Sequence, residues 1–176
     1  SWRAGLDRLL DFSALYPETD HLSFHSQQYG MTLFTPDDID SDLPVYDDRP
    51  YASLLFLSNT EFNVFPERDI AYISMLTIGF LGLDAAEDVQ KGLHGLTDSS
   101  VPNGWQYQVS SGGEPTAMLT YGIQRNLLSH HAHQLKMEYE ANIGFITDIN
   151  AGINWRWGRI SSPWWTFNPY QSKYLQ

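Results

Sequence analysis

The sequence predicts an all-β fold of about six long antiparallel strands with one short helix inserted near 84–96, and three observations carry that reading. Apolar and polar residues alternate with a period of two along several segments. Those segments run to roughly 9 to 15 residues, where the globular mode is about 5 or 6. Only 84–96 has the character of a helix. A strand that crosses a bilayer at a tilt needs about 9 to 11 residues, so these lengths suit a membrane-spanning sheet as well as a soluble one.

The first alternating segment is 28–35, with Tyr29, Met31 and Leu33 set against Gln28, Gly30 and Thr32. Segments 51–65 and 68–82 are largely apolar. In the second of these, Ile70, Tyr72, Leu76, Ile78 and Phe80 share one phase, and Asp69, Ala71, Thr77 and Gly79 the other. The helix 84–96 opens on Asp84 as N-cap, with Glu87 and Asp88 near the positive end of its dipole. Gln90 and His94 lie four apart, hence on one face, as do Glu87 and Lys91. Gly92 inside the helix costs about 1 kcal/mol relative to alanine. The clearest alternation comes last. Ala117, Leu119, Tyr121 and Ile123 oppose Thr116, Thr120, Gly122 and Gln124. In 134–147, Leu135, Met137, Tyr139, Ala141, Ile143 and Phe145 oppose Lys136, Glu138, Glu140, Asn142 and Gly144. In 151–158, Ala151, Ile153, Trp155 and Trp157 oppose Gly152, Asn154, Arg156 and Gly158.

Composition narrows the function classes. The 176 residues include no cysteine, so disulfides and thiolate metal sites are excluded, and no linker or repeat divides 1–176, which reads as a single domain. Ten basic residues against 21 acidic ones give a net charge of −11 and argue against nucleic acid, whose binding depends on cations that displace phosphate counterions. No apolar run approaches the roughly 20 residues of a spanning helix. The opening Ser1-Trp2-Arg3-Ala4-Gly5 has no signal-peptide character, so either processing has occurred or the start lies upstream. A soluble domain would bury the apolar phase, and a membrane barrel would turn it toward lipid; periodicity does not separate the two. The aromatics Trp155, Trp157, Trp164, Trp165, Phe167 and Tyr170 near strand ends suit an interfacial girdle, and equally an aromatic core.

Few constellations carry chemistry. Asp38, Asp40 and Asp42 have the 1, 3, 5 spacing of a calcium loop, but Leu43 replaces the glycine of position 6 and Arg49 the glutamate of position 12, so the segment reads as a solvated acidic turn. His130, His131 and His133 read as a polar turn rather than a zinc site, because neighbours on an extended chain point apart. His21 and His25 show no partner. There is no Gly-x-Ser-x-Gly elbow. His94, one turn after Gln90 and followed by Asp98 and Trp105, has the chemistry of a general base acting on water, set against the more ordinary structural role of a lone helical histidine.

Several segments, taken in order, resemble the LpxR family of outer-membrane lipid A deacylases across most of the chain. They are Tyr29-Gly30, Phe34-Thr35-Pro36-Asp37-Asp38, Asp47-Asp48-Arg49-Pro50-Tyr51-Ala52, Val89-Gln90-Lys91-Gly92-Leu93-His94, Gly104-Trp105-Gln106-Tyr107-Gln108 and Glu114-Pro115. The resemblance implies a transmembrane barrel of twelve antiparallel strands, of which this chain holds about six, in the outer membrane of a Gram-negative bacterium. It implies calcium-dependent hydrolysis of the 3′-linked acyl ester of lipid A by a monomer surrounded by outer-membrane lipid. It places the catalytic histidine on His94 and a supporting glutamine on Gln90. Glu114 supports the site wall, and Asp48 and Arg49 contribute loop or headgroup contacts or simply order their loop.

The chain also departs from the family pattern. Its Asn-Asp strand and Tyr-Thr-Asn-Gly turn are not found here, Ser53 stands for the usual glycine, and Val109 for the usual leucine. The family's calcium ligands are therefore expected upstream of Ser1, no metal ligand is assigned within the chain, and the chain is expected to be a fragment with weak or no activity alone. The alternatives are a non-catalytic outer-membrane barrel and a soluble lipid-binding β-barrel. The latter would turn Lys136, Glu138 and Glu140 outward.

Overall fold

A computed structural model describes residues 10–39, 44, 46–83, 88, 92, 104–110 and 112–168. Six strands form one sheet in the order β1-β2-β3-β4-β5-β6, each hydrogen-bonded to its sequence neighbour. They are β1 (Leu22–Phe34), β2 (Ala52–Phe65), β3 (Ile70–Leu81), β4 (Glu114–Ser129), β5 (His133–Gly144) and β6 (Asp148–Trp157). The shortest has 10 residues and the longest 16, so each is long enough to cross hydrocarbon. β1 begins six residues before the predicted start at 28, because the apolar phase changes from Leu22 and Phe24 to Tyr29, Met31 and Leu33 across the polar Ser26–Gln28, which breaks the period. Of the expected helix 84–96, only Asp88 and Gly92 are described, and both have helical backbone.

The chain divides into two compact units. The first comprises 1–26, 59–76 and 118–176, and the second 27–58 and 77–117. The first contains β5, β6 and most of β4, paired antiparallel in a register that sets Thr120 against Asn142, Gln124 against Glu138, and Lys136 against Asn154. The register slips once, between Asn126 and Leu128. A small apolar cluster of Val64, Ala71 and Trp164 packs with Phe62 and Trp165. In the second unit, Tyr51 and Trp105 pack with Met31 and Leu33.

The distribution of polarity is the reverse of a soluble protein's. Among the described residues, eight hydrophobic side chains are buried and twelve polar or charged ones are. Lys136 is 1% exposed and Glu138 8%, whereas Tyr139 is 49% exposed, Ile143 64% and Ile149 84%. β6 repeats the pattern without interruption: Ile149, Ala151, Ile153, Trp155 and Trp157 are exposed and the residues between them half-buried. A soluble barrel, which would turn Lys136 and Glu138 outward, is therefore excluded by the orientation of these side chains.

Most of the buried polar groups satisfy one another, although among the described residues Ser110 Oγ and Asn154 Nδ2 are buried without a hydrogen-bond partner. The Lys136 ammonium donates to Gln124 Oε1 at 3.0 Å and Asn168 Oδ1 at 2.8 Å, and Glu138 lies 3.9 Å away. Thr120 donates to Asn142 at 2.6 Å, and the Asn142 amide donates to Glu140 and Asp148. Arg156 donates through Nε to Gln134 and through its terminal nitrogens to Ser162 and to the Ser162 and Pro163 carbonyls. Each partner lost would leave a charge or amide unpaired in a poorly solvated setting, so this network is cooperative.

The exposed phase gives a direct test. Ile153→Arg is expected to cost about 2–4 kcal/mol in bilayer-embedded protein, read from urea unfolding in vesicles, whereas an exposed isoleucine of a water-soluble sheet would tolerate arginine.

Candidate functional site

The second unit carries two long connections, 35–51 between β1 and β2 and 82–113 between β3 and β4, and it draws together motifs far apart in sequence. Tyr51 of Arg-Pro-Tyr-Ala and Trp105 of Gly-Trp-Gln-Tyr-Gln are both buried, with ring centroids 5.1 Å apart. Val109 N–H donates to the Tyr51 carbonyl at 2.7 Å, and Gly82 N–H to the Ser53 carbonyl at 2.8 Å. Gly104 lies flat against the Tyr51 ring, and a Cβ there would overlap it. Ser53, which replaces the family glycine, is fully buried, and its hydroxyl lies 3.3 Å from Gln108 Oε1 and 3.4 Å from the Leu83 carbonyl. No local sequence signal links Ser53 to Gln108, because the contact joins residues 55 apart.

The loop before Tyr51 is fastened by its own charges. Asp48 accepts hydrogen bonds from the backbone N–H of Asp37 at 2.6 Å and of Arg49 at 2.7 Å. These two donors, with the Arg49 charge as a smaller contribution, hold the Asp48 carboxyl below its ordinary range. Arg49 in turn donates to Asp37 Oδ1 at 3.0 Å. A crevice lined by Pro36, Arg49, Tyr51, Gly104 and Tyr107 encloses about 30 Å³, room for about one water molecule and far too little for an acyl chain.

Of the residues selected from sequence, Asp48 and Arg49 thus lie together on this loop, and Glu114 is the exposed first residue of β4. His94 and Gln90 lie outside the described residues, as do Asp40 and Asp42 of the acidic turn; Asp38 is exposed. Among the described residues, no three acidic or histidine side chains converge as a metal site. The His130 and His131 rings lie 3.8 Å apart at a tilt of 41° within the β4–β5 turn, so these neighbours do not point apart as an extended chain would have them, because the backbone turns there.

His25 is a correction, since the sequence offered it no partner. In the first unit, its Nδ1 lies 4.0 Å from Glu61 Oε2, in a hollow lined also by Asp11, Ser13 and Ser23. The carboxyl of Asp11 stays below its ordinary range, because hydrogen bonds from Ser13, one of them a 2.7 Å bond from its N–H, outweigh the upward push of burial. The Ser23 hydroxyl is committed to Asn63 Oδ1 at 2.7 Å, and Asn63 donates to Glu61. Ser23, His25 and Glu61 are thus not a nucleophilic triad, which requires the serine to face the imidazole.

Long strands, an outward apolar phase and a hydrogen-bonded polar wall define a protein that spans a membrane with a β-sheet. The family described as Outer membrane protein LpxR matches residues 2–171, and the chain belongs to it. It is accordingly a protein of the outer membrane. The structure of LpxR from Salmonella typhimurium is similar, with a TM-score of 0.54 and 13% sequence identity over 87% of this chain and 54% of that one, a likeness of fold. The chain thus spans about half the length of that protein. No curated protein matches the sequence.

Two outcomes test this part of the fold. Gly104→Ala is expected to cost about 1–3 kcal/mol through overlap with Tyr51, measured as a lower urea midpoint. Because the Asp48 carboxyl is depressed, its tie to the Asp37 and Arg49 amides is complete above the ordinary carboxylate range and is lost as pH falls through the depressed value. Limited proteolysis should therefore cut the 35–51 connection faster in acid, and Asp48→Asn should show the faster cleavage already at neutral pH.

Proposed function

We propose that this protein is a lipid A 3′-O-deacylase, a carboxylic ester hydrolase in which His94 is the general base. What carries the reading is membership of the LpxR family. It is supported by the docking of two family motifs, Arg49-Pro-Tyr-Ala and Gly104-Trp-Gln-Tyr-Gln, through Tyr51 and Trp105. The long connection between β3 and β4 that holds Gly104 to Gln108 also holds Gln90 and His94.

In the proposed reaction, the neutral imidazole of His94 takes a proton from water while the water oxygen attacks the ester carbonyl carbon. The tetrahedral intermediate then expels the sugar alkoxide, which recovers the proton from the imidazolium, leaving a free fatty acid and a hydroxyl on the sugar. Gln90, four residues before His94 in the sequence, is assigned to orient the imidazole or the water. No serine nucleophile is required. Glu114 belongs to the site wall, and Arg49 to contact with the phosphorylated headgroup.

Calcium enters as the resemblance implies it, with its ligands expected upstream of Ser1, and no step is routed through it. The test is mass spectrometry of lipid A from outer membranes carrying the full-length protein. Loss of the 3′ acyl chain is expected, with His94→Ala lowering the rate about 100- to 10,000-fold and a calcium chelator suppressing it. Unchanged lipid A with correctly inserted wild-type protein would leave a non-catalytic barrel instead.

A further inference from the structure

The first unit has a second feature that the hydrolase reading does not use: the end of the sheet where β4 turns into β5 and β6 leaves it. The stretches 115–137 and 149–176 contain none of the chain's 21 acidic residues, although the protein as a whole carries −11. This rim presents His130, His131, His133 and Arg159, all exposed, together with Trp155 and Trp157.

The backbone holds them in place. His130 and His133 exchange N–H to carbonyl bonds at 2.8 and 3.2 Å, closing the turn. The chain leaving β6 then pairs with that turn, Gly158 N–H donating to the Ala132 carbonyl at 3.0 Å and Ile160 N–H to the His131 carbonyl at 3.1 Å, which fixes the backbone of Arg159 alongside the turn. His133 lies opposite Trp157 in the register and stacks on Trp155 at 6.0 Å, and the two indoles are 5.1 Å apart. The neighbouring turn between β2 and β3 brings Glu67, Arg68 and Asp69. The Asp69 carboxylate accepts from the Asn126 amide at 2.8 Å, and Arg68 covers the Tyr16 ring while donating to Thr19.

Connections at the two ends of the strands differ. The turns 66–69 and 130–132, both short, join strands at one end, while the other end carries the long connections 35–51 and 82–113 together with the short turn 145–147. In outer-membrane proteins the short turns are periplasmic and the longer loops extracellular. The rim thus meets the inner, phospholipid leaflet, and its indoles lie where aromatic side chains favour the headgroup level.

We propose that this rim is a binding surface for anionic phospholipid, distinct from the lipid A reaction, in which Arg159 and the imidazoles of His130 and His131 contact the headgroup phosphate while Trp155 and Trp157 flank the glycerol and upper acyl chain. Charge complementarity selects the occupant, since the β4–β5 turn and the segment after β6 place Arg159 and three histidines in stretches, 115–137 and 149–176, that hold no acidic residue, at the end that faces the leaflet containing phosphatidylglycerol.

Quenching of tryptophan fluorescence by brominated lipid tests it, with the full-length protein in phosphatidylcholine vesicles that contain either brominated phosphatidylglycerol or brominated phosphatidylcholine at equal mole fraction. Phosphatidylglycerol should be enriched at the indoles about fivefold, the effect of one basic side chain near an anionic surface. The variant His130→Gln/His131→Gln/Arg159→Gln should bring the two lipids to equal quenching, while its quenching by brominated phosphatidylcholine stays at the wild-type level and so reports intact insertion. Excess inorganic phosphate should not abolish the preference. Equal quenching in the wild type, a preference that survives the triple substitution, or full competition by inorganic phosphate would each overturn the proposal.

Discussion

Everything in this structure depends on which face of the sheet is solvated by hydrocarbon. In a water-soluble sheet the apolar phase would close over a core, and Lys136 and Glu138 would extend into solvent. Here the ammonium of Lys136 is enclosed among Gln124, Asn168 and Glu138, and the isoleucines and tryptophans of β6 are more than half exposed. Such a surface is unfavourable in water, where exposed apolar area costs about 25 cal/mol per Å². In a bilayer that cost disappears, and the backbone must then be paired strand to strand because lipid offers no hydrogen bonds.

Turning the polar phase inward moves the burden of specificity to hydrogen bonds. A greasy core tolerates small shifts of volume, but a wall of amides, carboxylates and cations is stable only when each group finds a partner of the right kind. The register of β4 with β5 meets that requirement by setting Thr120 against Asn142 and Gln124 against Glu138. Apolar packing is left with local tasks, such as the Tyr51–Trp105 pair that braces the connections and the Trp164 cluster beside Val64 and Ala71.

Much of the framework was legible before any coordinates. Strand identity was clearest in β4 to β6, where strict alternation leaves no helical reading, and weakest in β1, whose first six residues contribute few large apolar side chains. The site was less legible. The motifs around Arg49 and Gly104 stand out by family resemblance, yet their meeting at Tyr51 and Trp105 arises from loop closure, which no period encodes. Nor did sequence reasoning find the Glu61 partner of His25 or the hydroxyl of Ser53 beside Gln108, since each joins residues on different strands or loops.

By itself the sequence determined the strands, their two chemical phases and the family to which they point, because alternation is a local property of an extended chain whose side chains project to opposite sides at every step. Only the tertiary structure decided which phase is enclosed. The same alternation serves a soluble sheet or a lipid-facing one, and the choice depends on which side chains become neighbours across strands, a relation between residues that are distant along the chain.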